Sequence, residues 1–198
     1  MKYDFYAAKN DFTLDDAVTE GTWANRFMKS DLEKITPYLL QLQEAGIPVL
    51  WRPLHEAAGK WFWWGNGSAA SYVKLWRTMY DFFKQKGINN LIWVWTSEGD
   101  DAAWYPGDEY VDIIGSDVYG KDGVAVSAEQ MANRFNALAY RYPTKMISLT
   151  ECGTVTDIPT QWKGDAKWSW FMPWYGGTHA TDDWWKAAMS SEDVITRN

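Results

Sequence analysis

Cysteine occurs once in the 198 residues, at position 152, so no internal disulfide can form and the redox compartment cannot be read from it. Histidine occurs only at 55 and 179. His55-Glu56 is not followed by a second histidine four residues after the first, so the zinc-binding HExxH pattern is absent. No other cluster of side chains calls for a metal. GxGxxG and the P-loop pattern are missing, which removes the usual phosphate-cradling loops, and no G-x-S-x-G turn offers a serine nucleophile. Cationic charge is scarce: 19 Lys and Arg face 26 Asp and Glu, for a net charge of −7 and a pI of about 4.8. That balance argues against nucleic acid and anionic membranes as partners, since both need clustered cations. No apolar run reaches membrane length. The opening MKYDFYAAKNDF lacks the apolar middle of a signal peptide, so the chain as given carries no export address.

What the chain has in excess is aromatic surface: 15 Trp, 11 Tyr and 8 Phe. A core absorbs some of these. A ligand with flat apolar faces ringed by hydroxyls, which is what a sugar offers, uses the rest, because indole supplies area, a donor and little entropy to lose. With 46% hydrophobic and 23% charged residues the composition is that of a globular protein, long enough for one domain with its own core.

Short β-rich runs alternate with helix-like segments. Strands are expected at 47–51, 91–95, 111–115, 146–150 and 168–174. Helices are expected at 68–86, where Tyr72, Leu75, Trp76, Met79, Tyr80 and Phe83 recur at three and four, at 127–140 behind a capping box of Ser127 and Gln130, and at 182–190. An earlier helix is expected behind Ser30 and Glu33, ending at Gly46, with Pro37 implying a kink or a late start. Near-continuous apolar strands followed by helices imply a parallel sheet buried on both faces. Polar residues follow the strands: Arg52, His55 and Glu56; Thr96, Ser97 and Glu98; Asp117 and Tyr119; Glu151. Chemistry gathers at strand C-termini in barrels and open α/β sheets alike, and the missing phosphate loop favours the barrel. Five strands are too few for an eight-stranded barrel of ~250 residues. The expected fold is therefore α/β of the (β/α)8 TIM-barrel type, incomplete, with the last five βα units present and the first three missing, residues 1–198 forming a single partial catalytic domain.

Glu56 and Glu151 are each expected at a strand end. Glycoside hydrolysis needs such a pair, one carboxylic acid to protonate the leaving oxygen and one carboxylate to attack the sugar or activate water. Taken singly, an acid at a strand end is more often a solvated loop residue. Two of them, one inside the tryptophan-rich WRPLHEAAGKWFWWG of residues 51–65, carry more weight. Cys152, next to Glu151, reads as a buried space-filler rather than a thiol nucleophile.

The segment VLWRPLHEAAGKWFWWG resembles the acid/base strand of glycoside hydrolase family 26, whose best-known members are β-mannanases. The resemblance continues through WVWTSEGDDAAWYPGDEYVDIIGSDVYG and ISLTECG to WFMPWYGG and the terminal VITRN, in the family's order. It implies a (β/α)8 fold, a retaining two-carboxylate mechanism on internal β-1,4-mannosidic bonds, and no cofactor or metal. Glu56 looks like the general acid/base and Glu151 like the nucleophile. His55 and Arg52 would hold and polarise the carboxylates. Tyr119, in the pattern Gly115-x-Asp117-x-Tyr119, would hydrogen-bond the nucleophile and keep it ionised. Trp61 and Trp174 would stack on sugars either side of the cleavage point, while Trp63, Trp64, Trp93 and Trp95 read as packing. β-1,3-Xylanase and mixed-linkage glucanase activities also occur in the family, and a non-catalytic carbohydrate-binding protein on the same cleft is the alternative of another class. It has no need of both Glu56 and Glu151. The implied partner is mannan or a related β-linked polysaccharide. The whole protein is expected to be secreted or held at the cell envelope. Without its first three strands the chain alone is not expected to be an active enzyme, and its exposed sheet edges favour self-association.

Overall fold

A computed structural model describes residues 4–176 and 179–196. Gly177 of the WYGG stretch and Arg197 and Asn198 of VITRN lie outside the described residues. The chain forms two compact units, Met1–Asp112 and Ile113–Asn198.

In the first unit, a short helix α1 (Leu14–Ala17) and the long helix α2 (Trp23–Glu44) precede strand β1 (Val49–Trp51). Helix α3 (Ala69–Gln85) and strand β2 (Leu91–Ser97) follow. β1 and β2 pair in parallel, Val49 opposite Leu91 and Trp51 opposite Trp93. The expected capping box at Ser30 is not the start of α2. Thr22 caps it, accepting a hydrogen bond from the Asn25 amide, and Pro37 sits inside the helix. Burial overrides the proline: Met28, Leu32, Thr36 and Leu39 form a continuous buried stripe that spans it. α3 runs as its periodicity predicts, from a Ser68 cap, burying Tyr72, Leu75, Trp76, Met79 and Phe83. It ends at Gly87, whose φ of +78° is the left-handed turn that glycine takes without strain.

In the second unit, β3 (Ile113–Tyr119), β4 (Met146–Gly153) and β5 (Phe171–Pro173) are parallel neighbours in that order. Helices α4 (Ala128–Arg141), α5 (Ile158–Lys163) and α6 (Asp182–Met189) intervene or follow. α4 opens with the capping box expected at Ser127 and Gln130. α5 is an addition to the sequence reading, signalled by Asp157, which accepts from the Thr160 amide, and by proline in the first turn.

The strands depart from their expected bounds at both extremes of length. β2, β3 and β4 run further at their C-terminal ends, taking in Thr96, Ser97, Ser116, Asp117 and Glu151. Polar residues look like loop in a sequence, but here most are buried and held by the ladder. β1 and β5 are shorter than expected, three residues each. Trp168, expected in the last strand, instead turns its indole N–H to Gln161 Oε1 at 2.9 Å and packs edge-on against Phe135. The middle of each long strand is buried on both faces, as a parallel sheet under helices requires.

Candidate active site

The first unit presents Arg52, His55, Glu56 and Trp61 from the loop after β1. Arg52 donates to Thr96 Oγ1 at 3.1 Å, tying the end of β1 to the end of β2. The turn that follows is strained. Leu54 and Glu56 have φ of +52° and +53°, and Lys60 has +64°. A bulky L-residue in that region is an outlier costing on the order of 1–3 kcal/mol, and such conformations concentrate at functional sites. The His55 ring lies 4.9 Å from Phe62 and 5.8 Å from Trp64. The Glu56 carboxylate accepts the Trp61 indole N–H at Oε2, 3.0 Å away. Trp61 is 41% exposed, which leaves aromatic surface for a ligand. Its six-membered ring lies across Gly59, where a Cβ would collide with it. Glycine at 59 is thus what lets the indole lie flat on the loop and reach Glu56.

The second unit presents Asp117, Tyr119 and Glu151 from β3 and β4. Their alignment depends on an irregularity in register. Ser116 pairs with Leu149 but Asp117 pairs with Glu151, so Thr150 is an extra residue in β4. One inserted residue swaps the faces of everything after it. Glu151 therefore lies on the side of the sheet that carries Asp117 and Tyr119. The inserted Thr150 hydroxyl donates to Asp117 Oδ1 at 2.6 Å, and the Tyr119 hydroxyl donates to Glu151 Oε2 at 2.8 Å. Glu151 is only 4% exposed, so this neutral donor sits on a carboxylate largely withdrawn from water, where a hydrogen bond counts for more. Next to it, burial pushes the Cys152 thiol up to about 12, with the charges of Asp117 and Glu151 adding to the effect. A thiol so placed stays protonated and is no nucleophile.

His179 closes over the same strand end. Its ring meets Tyr119 edge-on, centroids 5.6 Å apart at 77°, and a Cβ at Gly153 would run into it. The Thr154 amide donates to the His179 carbonyl at 2.8 Å. Trp174 follows β5, its amide donating to the Cys152 carbonyl at 2.8 Å, and is 38% exposed.

Arg52 and Trp174 directly follow β1 and β5, Tyr119 and Glu151 lie in the last residues of β3 and β4, and His55, Glu56 and Trp61 lie in the loop after β1. Glu56 meets Trp61 in the first unit and Tyr119 meets Glu151 in the second, while Arg52 bonds Thr96 and the His55 ring lies by Phe62 and Trp64. Sequence reasoning passed over Thr150, Gly153 and His179, and read Tyr72 and Trp64 as packing alone. Tyr72 and Trp64 bear on the strained turn: the Tyr72 hydroxyl donates to the Leu54 carbonyl at 3.1 Å and the Trp64 indole to the His55 carbonyl at 2.7 Å. Nothing in periodicity or spacing signals such side-chain-to-backbone bonds.

The sequence model described as glycosyl hydrolase family 26 matches residues 1–196. Mannan endo-1,4-beta-mannosidase B of Piromyces sp is 38% identical over 174 residues, which are 87% of this chain and 29% of that protein. The chain therefore spans less than a third of that relative's length. Among solved structures, the GH26 domain of an endo-beta-mannanase/endo-beta-glucanase from Prevotella bryantii superposes with a TM-score of 0.91 at 42% identity, over 98% of this chain and 64% of that one. The beta-mannanase from a symbiotic protist of the termite Reticulitermes speratus, solved with a gluco-manno-oligosaccharide, gives a TM-score of 0.85 at 40% identity, over 97% of this chain and 62% of that one. The five parallel strands and their helices correspond to part of the (β/α)8 barrel of these neighbours.

Proposed function

We propose, for a chain that belongs to glycosyl hydrolase family 26, that it is part of a retaining endo-β-1,4-mannanase. Residues 1–198 would serve as one partial catalytic domain, with Glu56 as general acid/base and Glu151 as nucleophile. The observation that carries the reading is the Tyr119 hydroxyl on Glu151 Oε2 at 2.8 Å. It orients a buried carboxylate and favours its ionised form.

In the first step Glu151 attacks the anomeric carbon while Glu56 gives its proton to the departing glycosidic oxygen, leaving a glycosyl ester on Glu151. In the second step Glu56 takes a proton from water, the water attacks the same carbon, and Glu151 leaves as the carboxylate. Two inversions retain the β configuration. Such a mechanism keeps the two carboxyls about 5–5.5 Å apart. Trp61 and Trp174, each about two-fifths exposed, supply stacking faces for sugars on either side of the cleavage point, and Arg52 and His55 order the loop that carries Glu56.

Mannan is chosen as substrate because the matched relatives are named for it and one neighbour was solved with a gluco-manno-oligosaccharide. No described helix is long and apolar enough to cross a membrane. A polymeric substrate outside the cell fits a whole protein that is secreted or held at the envelope. The test is reducing-sugar release from mannan by the whole protein of which the chain is proposed to be part, with xylan and mixed-linkage glucan alongside. Release from mannan, abolished in Glu151→Ala, is the expected result. Equal release by Glu151→Ala, or release from xylan or glucan in preference to mannan, would overturn the mechanism or the substrate respectively.

A further inference from the structure

The strained turn at Leu54-His55-Glu56 is held by two buried donors that never touch the carboxylate. Tyr72, on α3 and 1% exposed, donates its hydroxyl to the Leu54 carbonyl. Trp64, 7% exposed, donates its indole N–H to the His55 carbonyl. These carbonyls belong to the two successive peptide planes between Leu54 and Glu56. Holding both planes holds φ and ψ of His55 between them and places the Cα of Glu56, the point from which its side chain leaves the backbone. Both donors are themselves immobilised. Trp64 stacks on Phe62 with centroids 4.5 Å apart at 21°, and Tyr72 packs against Trp76 and Trp104. Trp61 holds the other end of Glu56, at Oε2.

We propose that Tyr72 and Trp64 are positioning residues that lock the left-handed turn and thereby aim the Glu56 carboxyl at the glycosidic oxygen. Left-handed conformations at Leu54 and Glu56 persist only where the surroundings over-determine them. Without the two ties the turn relaxes and the acid swings away from the oxygen it must protonate. The inference rests on the reading of Glu56 as the acid/base. The stored strain is the use made of two residues that otherwise look like core.

Tyr72→Phe removes one hydroxyl and keeps the ring, and Leu54→Gly removes the strain that the hydroxyl opposes. Two measurements separate the tie from simple packing. The first is denaturant unfolding of the intact chain, which needs no turnover. Tyr72→Phe should lower the midpoint less beside Leu54, where relaxation of the turn releases strain that offsets the lost bond, than when residue 54 is glycine and no strain is left to release. Equal losses in the two backgrounds would overturn the proposal.

The second compares mannan with a dinitrophenyl β-mannobioside, whose leaving group departs without a proton. Impaired proton donation shows only on the first substrate. Read in the whole protein as kcat/KM, which reports the step in which Glu56 is the acid and not the later one in which it is the base, Tyr72→Phe should cost about tenfold more on mannan than on the aryl glycoside, a modest share of the ~10²–10⁴ that a general acid contributes. Equal slowing on both substrates would also overturn it. Glu56→Gln calibrates the pair: if that variant lowers kcat/KM on both substrates alike, the acid/base reading itself fails, while the unfolding cycle still decides whether the ties hold the turn.

Discussion

Tyr119 delivers one hydrogen bond to Glu151, and its removal can be weighed. A hydrogen bond to a charged group contributes about 1.5–3 kcal/mol, so Tyr119→Phe should cut kcat/KM on mannan by about 10- to 100-fold while leaving the fold intact, as a circular dichroism spectrum would verify. Cys152 gives a residue-scale test of burial. Its thiol is raised from 9.0 to about 12. A folded-state value above the unfolded one means a contribution to stability that is whole below pH 9 and is lost as pH climbs from 9 towards 12. Unfolding midpoints should fall over that window, and by less in Cys152→Ala. Alkylation by iodoacetamide at pH 8 should require prior unfolding. The places of Glu56, after β1, and of Glu151 and Tyr119, near the ends of β4 and β3, were legible in the sequence through the motif around each. Thr150 and His179 were not, because their roles depend on a register shift and on a ring packed from a distant segment. Tyr72 was legible as a core position and not as a donor, since periodicity reports which face a residue lies on and nothing about where its hydroxyl goes.

At the scale of elements, helices were easier to read than strands. α3 and α4 announced themselves by apolar period and cap, and the structure keeps both. α2 began earlier than its apparent capping box, because Thr22 already supplies an acceptor and the buried stripe carries the helix over Pro37. Strand ends were misjudged because the functional residues are polar, buried and inside the strands, a combination in which a loop-like composition conceals a ladder position. The irregularity in β4 is the insertion of Thr150 beside Glu151. Deleting Thr150 would restore plain register while leaving Glu151 opposite Asp117, so the deletion variant should fold and lose activity on mannan only through the missing hydroxyl on Asp117 Oδ1. A folded deletion variant with full activity would show that this hydroxyl is dispensable. In the first unit, Gly65 admits the Ala57 carbonyl so closely that a Cβ would collide with it. Gly65→Ala should therefore destabilise the chain by about 1–3 kcal/mol, read as a lower unfolding midpoint, through displacement of the loop that carries Trp61 and Trp64.

For the whole molecule, the alternation of strand and helix was enough to identify the barrel class, and the family resemblance placed five strands within it. The sequence could not convey how the shortest strands fare. β1 leaves Leu50 53% exposed and β5 leaves Met172 39% exposed, and among the described residues β1 pairs only with β2 and β5 only with β4. We propose that these strands promote self-association of the chain. Sedimentation should show a concentration-dependent rise in mass that Leu50→Lys reduces, and a monomer at all concentrations would refute it. The central claim is that Glu151 is the nucleophile of a retaining mannanase. The most direct measurement is exposure of the protein to an activated 2-deoxy-2-fluoro-β-mannoside, followed by peptide mass spectrometry. Such a reagent forms the glycosyl ester and stalls before hydrolysis. A single adduct on Glu151, absent in Glu151→Gln, is the predicted result. An adduct on any other carboxylate, or none under conditions in which mannan is being cleaved, would contradict it.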